Sequence, residues 1–305
     1  MKNEAQEPSG VLIVNKPAGM TSHDIVGKVR RLYGLRRVGH TGTLDPMATG
    51  VLVVLVGRAA KAAEYLMSDR KSYLATLRLG LVTDSGDTTG KILSQTDVLP
   101  EEEAVQAVLA GFRGEIEQIP PMYSALKVAG RKLVDLARRG VTVEREPRKI
   151  TIYRLEAFPT AKKSDYRLET DCSGGTYIRT LCEDIGAALG CGGTMAALCR
   201  TETGGFRLES AHTIDELEAL SAEERLALLL PIEALFAELP CLRLSSFYER
   251  LIRGGCAVLQ KKLGEDFSVG SRLRLLNEAG EFFALGEAVE SEEGIAVKAV
   301  KTFVL

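Results

Sequence analysis

Apolar residues in this chain fall into short runs that glycine, proline and polar residues separate. Two of these runs, at residues 10–14 and 51–56, are continuous and typical of buried strands. Between them, apolar residues recur at helical spacing over 25–33, after a Thr-Ser capping pair and before Gly34. The N-terminal part is therefore predicted to form a strand, a helix that ends at Gly34, and a second strand.

The middle of the chain alternates between helical and strand-like segments. Apolar and polar positions alternate from Tyr73 to Leu79, which predicts a strand. The other predicted segments are helices over 58–67, 100–109 and 131–139, an antiparallel strand pair at 149–158 and 166–172, a helix beginning near 176, a strand at 206–209 and an acidic helical region over 213–230.

The pattern changes after a linker that Pro231 and Pro240 bracket. Short apolar runs follow, and glycines and acidic turns separate them. These runs predict a small β-barrel-like module with strands at 242–244, 257–259, 272–276, 282–289 and 294–300. We therefore place a domain boundary between residues 1–238 and residues 239–305, and call the second part the C-terminal module.

Length and composition allow one large core beside this module, because 45% of the 305 residues are hydrophobic. The net charge of −2 argues against a nucleic-acid partner until its distribution is considered. Residues 120–154, the basic segment, hold nine Lys or Arg and three Asp or Glu, whereas residues 209–238, the acidic segment, hold eight acids and one arginine. This asymmetry fits a polyanion bound on one side. Charge alone favours the alternative of two ordinary solvated faces.

Several classes of protein do not fit the sequence. No apolar run reaches the ~18–20 residues that span a bilayer, and the polar N-terminus lacks a signal-peptide core. We therefore expect a cytoplasmic protein that does not bind membranes. The six cysteines show no Cys-x-x-Cys spacing and the three histidines are scattered, so we expect free thiols and no metal site.

Candidate chemistry concentrates in residues 38–50, which we call the aspartate loop. Glycine, proline and threonine exclude a regular helix or strand there, and glycines on both sides allow a ligand to approach Asp45 closely. The loop also contains His40. These features favour a functional loop. The alternative is a turn in which Asp45 caps its own backbone.

A second informative stretch is 171–181, where a strand ends in Ser-Gly-Gly and a helix begins. Arg179 lies in the first turn of that helix, where the helix dipole favours acids. This mismatch predicts that Arg179 pairs with a buried carboxylate, although a surface arginine that reaches solvent would cost little. Taken alone, Lys16 fits a surface lysine at a strand end, and Tyr73 fits an aromatic residue at the edge of the core.

Taken together and in order, these motifs resemble the bacterial TruB family of tRNA pseudouridine-55 synthases. The aspartate loop is the most specific match; Met47 and Thr43 stand where leucine and alanine are common, and Cys199 is a tolerated small residue in a Leu-x-Arg-Thr motif. The C-terminal module is similar to that family's PUA RNA-binding domain, although this match is looser. The other matching stretches are VLIVNKPAGMTS at 11–22, KSY at 71–73, YSALK at 123–127 and GTYIRTL at 175–181.

The resemblance implies an α+β fold, with a mixed, mainly antiparallel sheet flanked by helices and a catalytic cleft across it. It also implies that Asp45 is the catalytic carboxylate of an isomerisation that detaches uracil and reattaches it through C5. No cofactor or metal is expected for this reaction, and the sequence contains no dinucleotide-binding or Walker motif. Whether Asp45 attacks the base or the sugar stays open.

The same resemblance assigns roles to other residues. His40 would fill the stack that the flipped uridine leaves, Tyr73 would pack on the flipped base and help take the C5 proton, and Arg179 would orient Asp45. Substrate contacts or pocket support are implied for Tyr177, Leu198, Lys16 and Lys127. The basic segment would grip the tRNA T stem-loop, and the C-terminal module would meet the acceptor-stem side.

Two other functions stay open at this point. The first is a tRNA-binding or folding chaperone whose chemistry is secondary, although such a protein needs no set of Asp45, Tyr73 and Arg179. The second is a pseudouridine synthase that depends on a guide RNA and partner proteins. The long region at 100–140 resembles the stand-alone bacterial branch, so no guide RNA is expected, and a monomer is the expected state.

Overall fold

The computed structural model describes residues 7–66, 70–124, 126–128 and 130–303. Its strands are β1 (Gly10–Lys16), β2 (Val38–His40), β3 (Thr49–Val56), β4 (Lys71–Leu79), β5 (Leu81–Thr83), β6 (Ile92–Gln95), β7 (Gly114–Gln118), β8 (Lys127–Val128), β9 (Arg131–Lys132), β10 (Arg148–Pro159), β11 (Asp165–Cys172), β12 (Gly193–Thr203), β13 (Phe206–Arg207), β14 (Cys241–Arg243), β15 (Val258–Leu259), β16 (Arg272–Leu276), β17 (Phe282–Ser291) and β18 (Gly294–Thr302).

The α-helices are α1 (Ser22–Tyr33), α2 (Glu102–Val108), α3 (Leu133–Ala137), α4 (Ile178–Ala188), α5 (Ile214–Ala219), α6 (Ala222–Ala227), α7 (Ser246–Arg253) and α8 (Gln260–Leu263). Shorter 3₁₀ helices cover Gly57–Tyr65, Leu109–Phe112, Leu208–Ser210 and Ile232–Phe236. Within the described ranges, no helix is both long enough and apolar enough to cross a membrane.

One large sheet organises the N-terminal part, with strand order β1-β3-β12-β4-β11-β10-β7, while β2 pairs with β3 and β13 with β12. The pairing of β3 with β12 is parallel, and the other pairings in this sheet are antiparallel. The predicted mixed, mainly antiparallel sheet is therefore confirmed. Its apolar strand β3 is buried on both faces, which explains the continuous hydrophobic run in the sequence.

Helix α1 has the ends that its sequence predicts. Thr21 and Asp24 form a capping box at its start, and Gly34 adopts the left-handed conformation that ends it. Its apolar face, which includes Ile25 and Val29, packs on β1 and β3 in one hydrophobic cluster. This packing holds the start of α1 against the aspartate loop.

Four predicted segments differ from the structure. The strand predicted at 206–209 is only Phe206–Arg207, and a 3₁₀ helix, Leu208–Ser210, follows it. The sequence predicts an α-helix over residues 58–67, but Gly57–Tyr65 is a 3₁₀ helix, and Met67 lies outside the described residues. Residues 131–139 form strand β9 followed by the short helix α3, rather than one helix. The acidic helical region is divided into α5 and α6, each starting with its own capping box.

The sequence pattern also missed β12, the strand at the centre of the large sheet. Irregularities in its pairing with β4 lie at Met195/Ala197 and Arg200/Glu202. Each irregularity shifts the in-and-out alternation by one residue, so the apolar pattern no longer has a period of two. The C-terminal module has its predicted strands in a five-stranded sheet, β14-β16-β17-β18-β15, and adds α7 and α8, which were not predicted.

Candidate active site

The aspartate loop contains β2 and the first two residues of β3, so its two ends are strands, contrary to the prediction, and residues 41–48 connect them. It packs on Ser22, the first residue of α1. The Ser22 hydroxyl accepts a hydrogen bond of 2.8 Å from the Leu44 amide and donates one of 3.2 Å to the Leu44 carbonyl. The Gly19 amide donates to the Pro46 carbonyl at 2.8 Å. These contacts hold the backbone on both sides of Asp45, whose side chain remains 35% exposed.

Lys16 lies beneath this loop and is fully buried. Its ammonium donates to the carbonyls of Pro17 at 2.8 Å, Met20 at 2.7 Å and Pro46 at 3.3 Å. Burial lowers its pKa to about 8, and the nearby Asp45 carboxylate opposes that shift. The surface-lysine interpretation is therefore wrong, because Lys16 joins the β1–α1 turn to the aspartate loop.

Arg179 reaches Asp45 from the first turn of α4. Its Nε is 2.8 Å from Asp45 Oδ2 and its Nη2 is 3.2 Å from Oδ1, so the pair is bidentate. Nη1 also donates to the Ser85 carbonyl at 3.0 Å, and Nη2 to the Tyr123 carbonyl at 2.6 Å. The predicted pairing with a carboxylate is confirmed, although Asp45 is partly exposed and not buried as predicted. The solvent-reaching alternative is wrong because only 5% of the Arg179 side chain is exposed.

The start of α4 is held in place by β7. The Gln118 side chain donates to the Tyr177 carbonyl at 3.0 Å and accepts from the Tyr177 amide at 2.8 Å. These two bonds satisfy backbone groups just before the helix. They also fix the direction in which Arg179 leaves the helix, even though the dipole disfavours a cation there.

Asp45 lines a cavity of about 390 Å³, together with Tyr73, Tyr177 and Leu198. Tyr73 is buried, and burial raises the pKa of its hydroxyl. Burial likewise raises the pKa of Tyr177. The structure therefore brings together five of the predicted site residues, namely Asp45, Tyr73, Tyr177, Arg179 and Leu198.

His40 and Lys127 differ from that group. His40 ends β2, is half-buried and is not among the cavity-lining residues, while burial lowers its pKa below the ordinary 6.5. In the part of the chain that the structure describes, its buried Nδ1 has no hydrogen-bond partner. Lys127 begins β8, but its side chain lies outside the described residues.

Sequence reasoning missed Arg200, which lines the same cavity and is 1% exposed. It stands opposite Tyr73 in the β12–β4 register, two residues after Leu198. The available signal was the Leu-x-Arg-Thr motif, which places Leu198 and Arg200 on one side of a strand. That signal could be used only with β12 recognised as a strand.

The cavity has more positive than negative charge. Lys71, Arg148, Arg179 and Arg200 line it together with the single carboxylate of Asp45. Such a lining attracts an anionic ligand such as a nucleic-acid backbone. Among the described residues, no group of three or more His, Cys, Asp or Glu side chains is placed to hold a metal ion.

Comparison with known families gives two matches that follow one another along the chain. The model described as TruB family pseudouridylate synthase (N terminal domain) matches residues 30–178. The model described as tRNA pseudouridylate synthase B C-terminal domain matches residues 179–237. Asp45 and Tyr73 fall in the first match, and Arg179 and Arg200 in the second.

Two curated relatives share one name. A tRNA pseudouridine synthase B of Francisella philomiragia is 48% identical over 242 residues, covering 79% of this chain and 80% of that protein. The tRNA pseudouridine synthase B of Thiobacillus denitrificans is 46% identical over 258 residues, covering 85% of this chain and 86% of that protein. The likeness therefore extends over most of both chains.

Solved structures agree with the expected fold. A chain from a Cbf5-Nop10-Gar1 complex superposes with a TM-score of 0.73 at 28% identity, covering 97% of this chain and 85% of that chain. A chain from an archaeal box H/ACA sRNP Nop10-Cbf5 complex gives a TM-score of 0.71 at 27% identity, covering 99% of this chain and 88% of that chain. The expected α+β fold with a C-terminal β module is confirmed.

Proposed function

This chain belongs to the TruB family of pseudouridylate synthases, and we propose that it converts uridine 55 in the T loop of tRNA into pseudouridine. The observation that carries this proposal is the bidentate Asp45–Arg179 pair. Both residues line a cavity that the buried Tyr73 also lines. A carboxylate held in one orientation, with one side accessible, is suited to act as a nucleophile.

In the proposed reaction Asp45 is the nucleophile, and its attack divides the isomerisation into two easier steps. The bond between ribose C1′ and uracil N1 breaks, and a bond between C1′ and C5 forms. The proton on C5 is lost and N1 gains one, so the product has the same composition as the substrate. Because no atoms are added or removed, the balance requires no oxidant, nucleotide or metal.

The target uridine is stacked in a folded loop and must leave that stack to reach Asp45. In our proposal His40 takes the vacated place, and the low pKa that burial gives it suits a neutral, stacking ring. Tyr73 packs on the flipped base and takes the C5 proton, while Tyr177 and Leu198 form walls of the cavity around that base. Lys16 supports the aspartate loop through a hydrogen bond to its backbone, and Lys127 contacts the substrate.

The tRNA is proposed to lie along the basic segment, whose arginines at 138 and 139 are exposed at the end of α3. Not all of this segment is free, since Lys149 pairs with Glu115 and Arg154 with Glu156 and Glu169. In the same proposal, the C-terminal module contacts the acceptor-stem side of the tRNA. We propose that one copy of the chain acts without a guide RNA. The names of the curated relatives support tRNA as the substrate.

The test is release of tritium from C5-tritiated uridine in a T-loop minihelix, with purified protein and no other RNA. The wild type should release tritium, Asp45→Asn should not, and the control Asp97→Asn, a change at an exposed aspartate, should match the wild type. All three should bind the minihelix equally. Binding without release by the wild type would refute the proposal and favour the chaperone or guide-dependent alternative.

A further inference from the structure

Arg200 occupies a crowded position between the aspartate loop and Tyr73. Its backbone pairs with Gly50 on β3 in parallel register and with Tyr73 on β4 in antiparallel register. Gly50 has a φ of 100°, and a Cβ at that residue would overlap the Arg200 carbonyl. At the other end of the loop, a Cβ at Gly42 would lie 3.3 Å from Arg200 Nη1. Gly42 and Gly50, the nearest glycines on either side of Asp45, thus leave room for Arg200.

The guanidinium of Arg200 binds neutral groups. Its Nε donates to the Val51 carbonyl at 2.8 Å, its Nη2 donates to the Gly42 carbonyl at 3.1 Å, and the Tyr73 hydroxyl is within its hydrogen-bonding reach. No carboxylate in the described part of the chain forms an ion pair with it. Because a buried cation without a counter-ion is costly, a purely structural role would be served better by a neutral side chain.

We propose that Arg200 is a positioning residue of the reaction, which fixes the Tyr73 hydroxyl and the Gly42 end of the aspartate loop in one arrangement. This inference deepens the proposed function and rests on it. One side chain then connects the nucleophile's loop to the residue that meets C5. Arg179 orients the Asp45 carboxylate, and Arg200 sets where the tyrosine oxygen lies relative to it.

The charges around Tyr73 support a role for the cation itself. Burial raises the pKa of Tyr73, and two groups that face it, Cys172 from β11 and Asp45 from the aspartate loop, raise it further. Arg200 acts in the opposite direction through its charge and its hydrogen bond. It is therefore the neighbour that favours negative charge on the tyrosine oxygen, and a phenol must lose its own proton before it can accept one from C5.

The first experiment is a double-mutant cycle of Arg200→Gln and Tyr73→Phe, measured as single-turnover rate and minihelix affinity. Arg200→Gln should slow turnover by about 100-fold with little change in affinity. In the Tyr73→Phe background, Arg200→Gln should lower the single-turnover rate by less than about threefold, because the hydroxyl through which Arg200 acts is already absent. Arg200→Lys, which keeps the charge, should recover part of the rate. Losses that multiply in the double variant would overturn the proposal.

The second experiment needs no substrate, so its result is independent of the proposed function. The enzyme is labelled with 3-fluorotyrosine, Tyr73→Phe assigns the resonance, and the phenol is titrated by ¹⁹F NMR. We expect the pKa of this tyrosine to rise in Arg200→Gln and to fall back in Arg200→Lys. An unchanged titration would overturn the proposal. If the expected shift accompanies a wild type that is inactive on tRNA, the proposed function fails while the Arg200–Tyr73 relationship stands.

Discussion

Arg179 contacts Asp45 with two of its nitrogens, at 2.8 and 3.2 Å, and uses the same guanidinium to hold the carbonyls of Ser85 and Tyr123. Three segments far apart in the sequence thus converge on one side chain. The planar fork of arginine permits this arrangement, because its donors point in fixed directions. The carboxylate is held on one side and left open to the cavity on the other.

Replacing Arg179 by lysine keeps the charge but removes the fork. We expect Arg179→Lys to lower the single-turnover rate by at least about 100-fold, with tRNA affinity changed by less than about threefold, because orientation of the nucleophile is lost. Arg78→Lys is the matched control, since Arg78 binds Asp165 in the same bidentate way, at 2.9 and 2.7 Å, away from the cavity. Equal losses of rate and affinity in Arg179→Lys would identify a phosphate contact instead.

Local patterns were enough to predict the elements whose residues act within one segment. Helix α1 has its cap, its apolar face and its stop within thirteen residues of Thr21, and all of them are visible in the sequence. The aspartate loop and Arg179 were also found, because a carboxylate between glycines and a cation at a helix start are unusual locally. That Asp45 is the partner of Arg179 was implied by the family resemblance and not by either local pattern.

The features that could not be predicted from the sequence depend on residues that come into contact only after folding. Strand β12 has two irregularities that break its alternation, so its place between β3 and β4 could not be predicted. The role of Arg200 could not be predicted either, because it depends on contacts with Tyr73, Gly42 and Val51, which are far from Arg200 in the sequence. The burial of Lys16 was hidden for the same reason, since its carbonyl partners belong to two turns.

Lys16 should give the protein an unusual dependence of stability on pH. A lysine in the unfolded chain titrates near 10.5, whereas Lys16 in the folded protein has a pKa of about 8. Between these values the unfolded chain holds a proton that the folded protein has lost, so the free energy of unfolding rises with pH across this interval. The gain from about pH 7.5 to about pH 10 is on the order of 2 kcal/mol.

Urea unfolding of the wild type and of Lys16→Met at these two pH values checks this prediction. Lys16→Met should lack the gain, whatever its stability at the lower pH. The change Lys61→Met, at an exposed lysine, should keep it. Groups such as the buried thiol of Cys172, whose pKa burial raises to about 11, titrate in all three proteins and cancel in the comparison. The same pH slope in the wild type and Lys16→Met would contradict the prediction.

The basic segment should determine how steeply tRNA binding depends on salt. Each lysine or arginine that neutralises a phosphate releases bound counterions, and its removal lowers the slope of log affinity against log salt by about one. We expect this effect from Arg138→Gln and from Arg139→Gln, because both side chains are exposed. Filter binding of tRNA at several salt concentrations measures the slope.

Lys163→Gln is the matched control for these variants. Strand β10 runs twelve residues from Arg148, which lines the cavity, to Pro159, a distance of roughly 35 Å. Lys163 lies in the turn beyond that far end, so its removal should leave the slope unchanged. A slope that responds to Lys163 but not to the two arginines would place the tRNA on a different face.

The C-terminal module should unfold together with the N-terminal part, because the two share one hydrophobic cluster. Phe303 and Leu285 of the module pack in the same cluster as Val11 and Val51 of the large sheet. Phe303 is 1% exposed, and its ring lies 5.7 Å from that of Phe236 in the preceding linker. Removing this ring should open a cavity at the junction.

We therefore expect Phe303→Ala to lower the free energy of unfolding by about 3–5 kcal/mol in a single cooperative transition. The control Phe247→Ala removes a ring of the module that is 57% exposed, and it should cost less than about 1 kcal/mol. Urea unfolding followed by circular dichroism and by tyrosine fluorescence measures both. If Phe303→Ala separates the curve into two transitions with an unchanged first midpoint, the module is stabilised by its own core, which contains Phe283 and Leu273, rather than by the shared cluster.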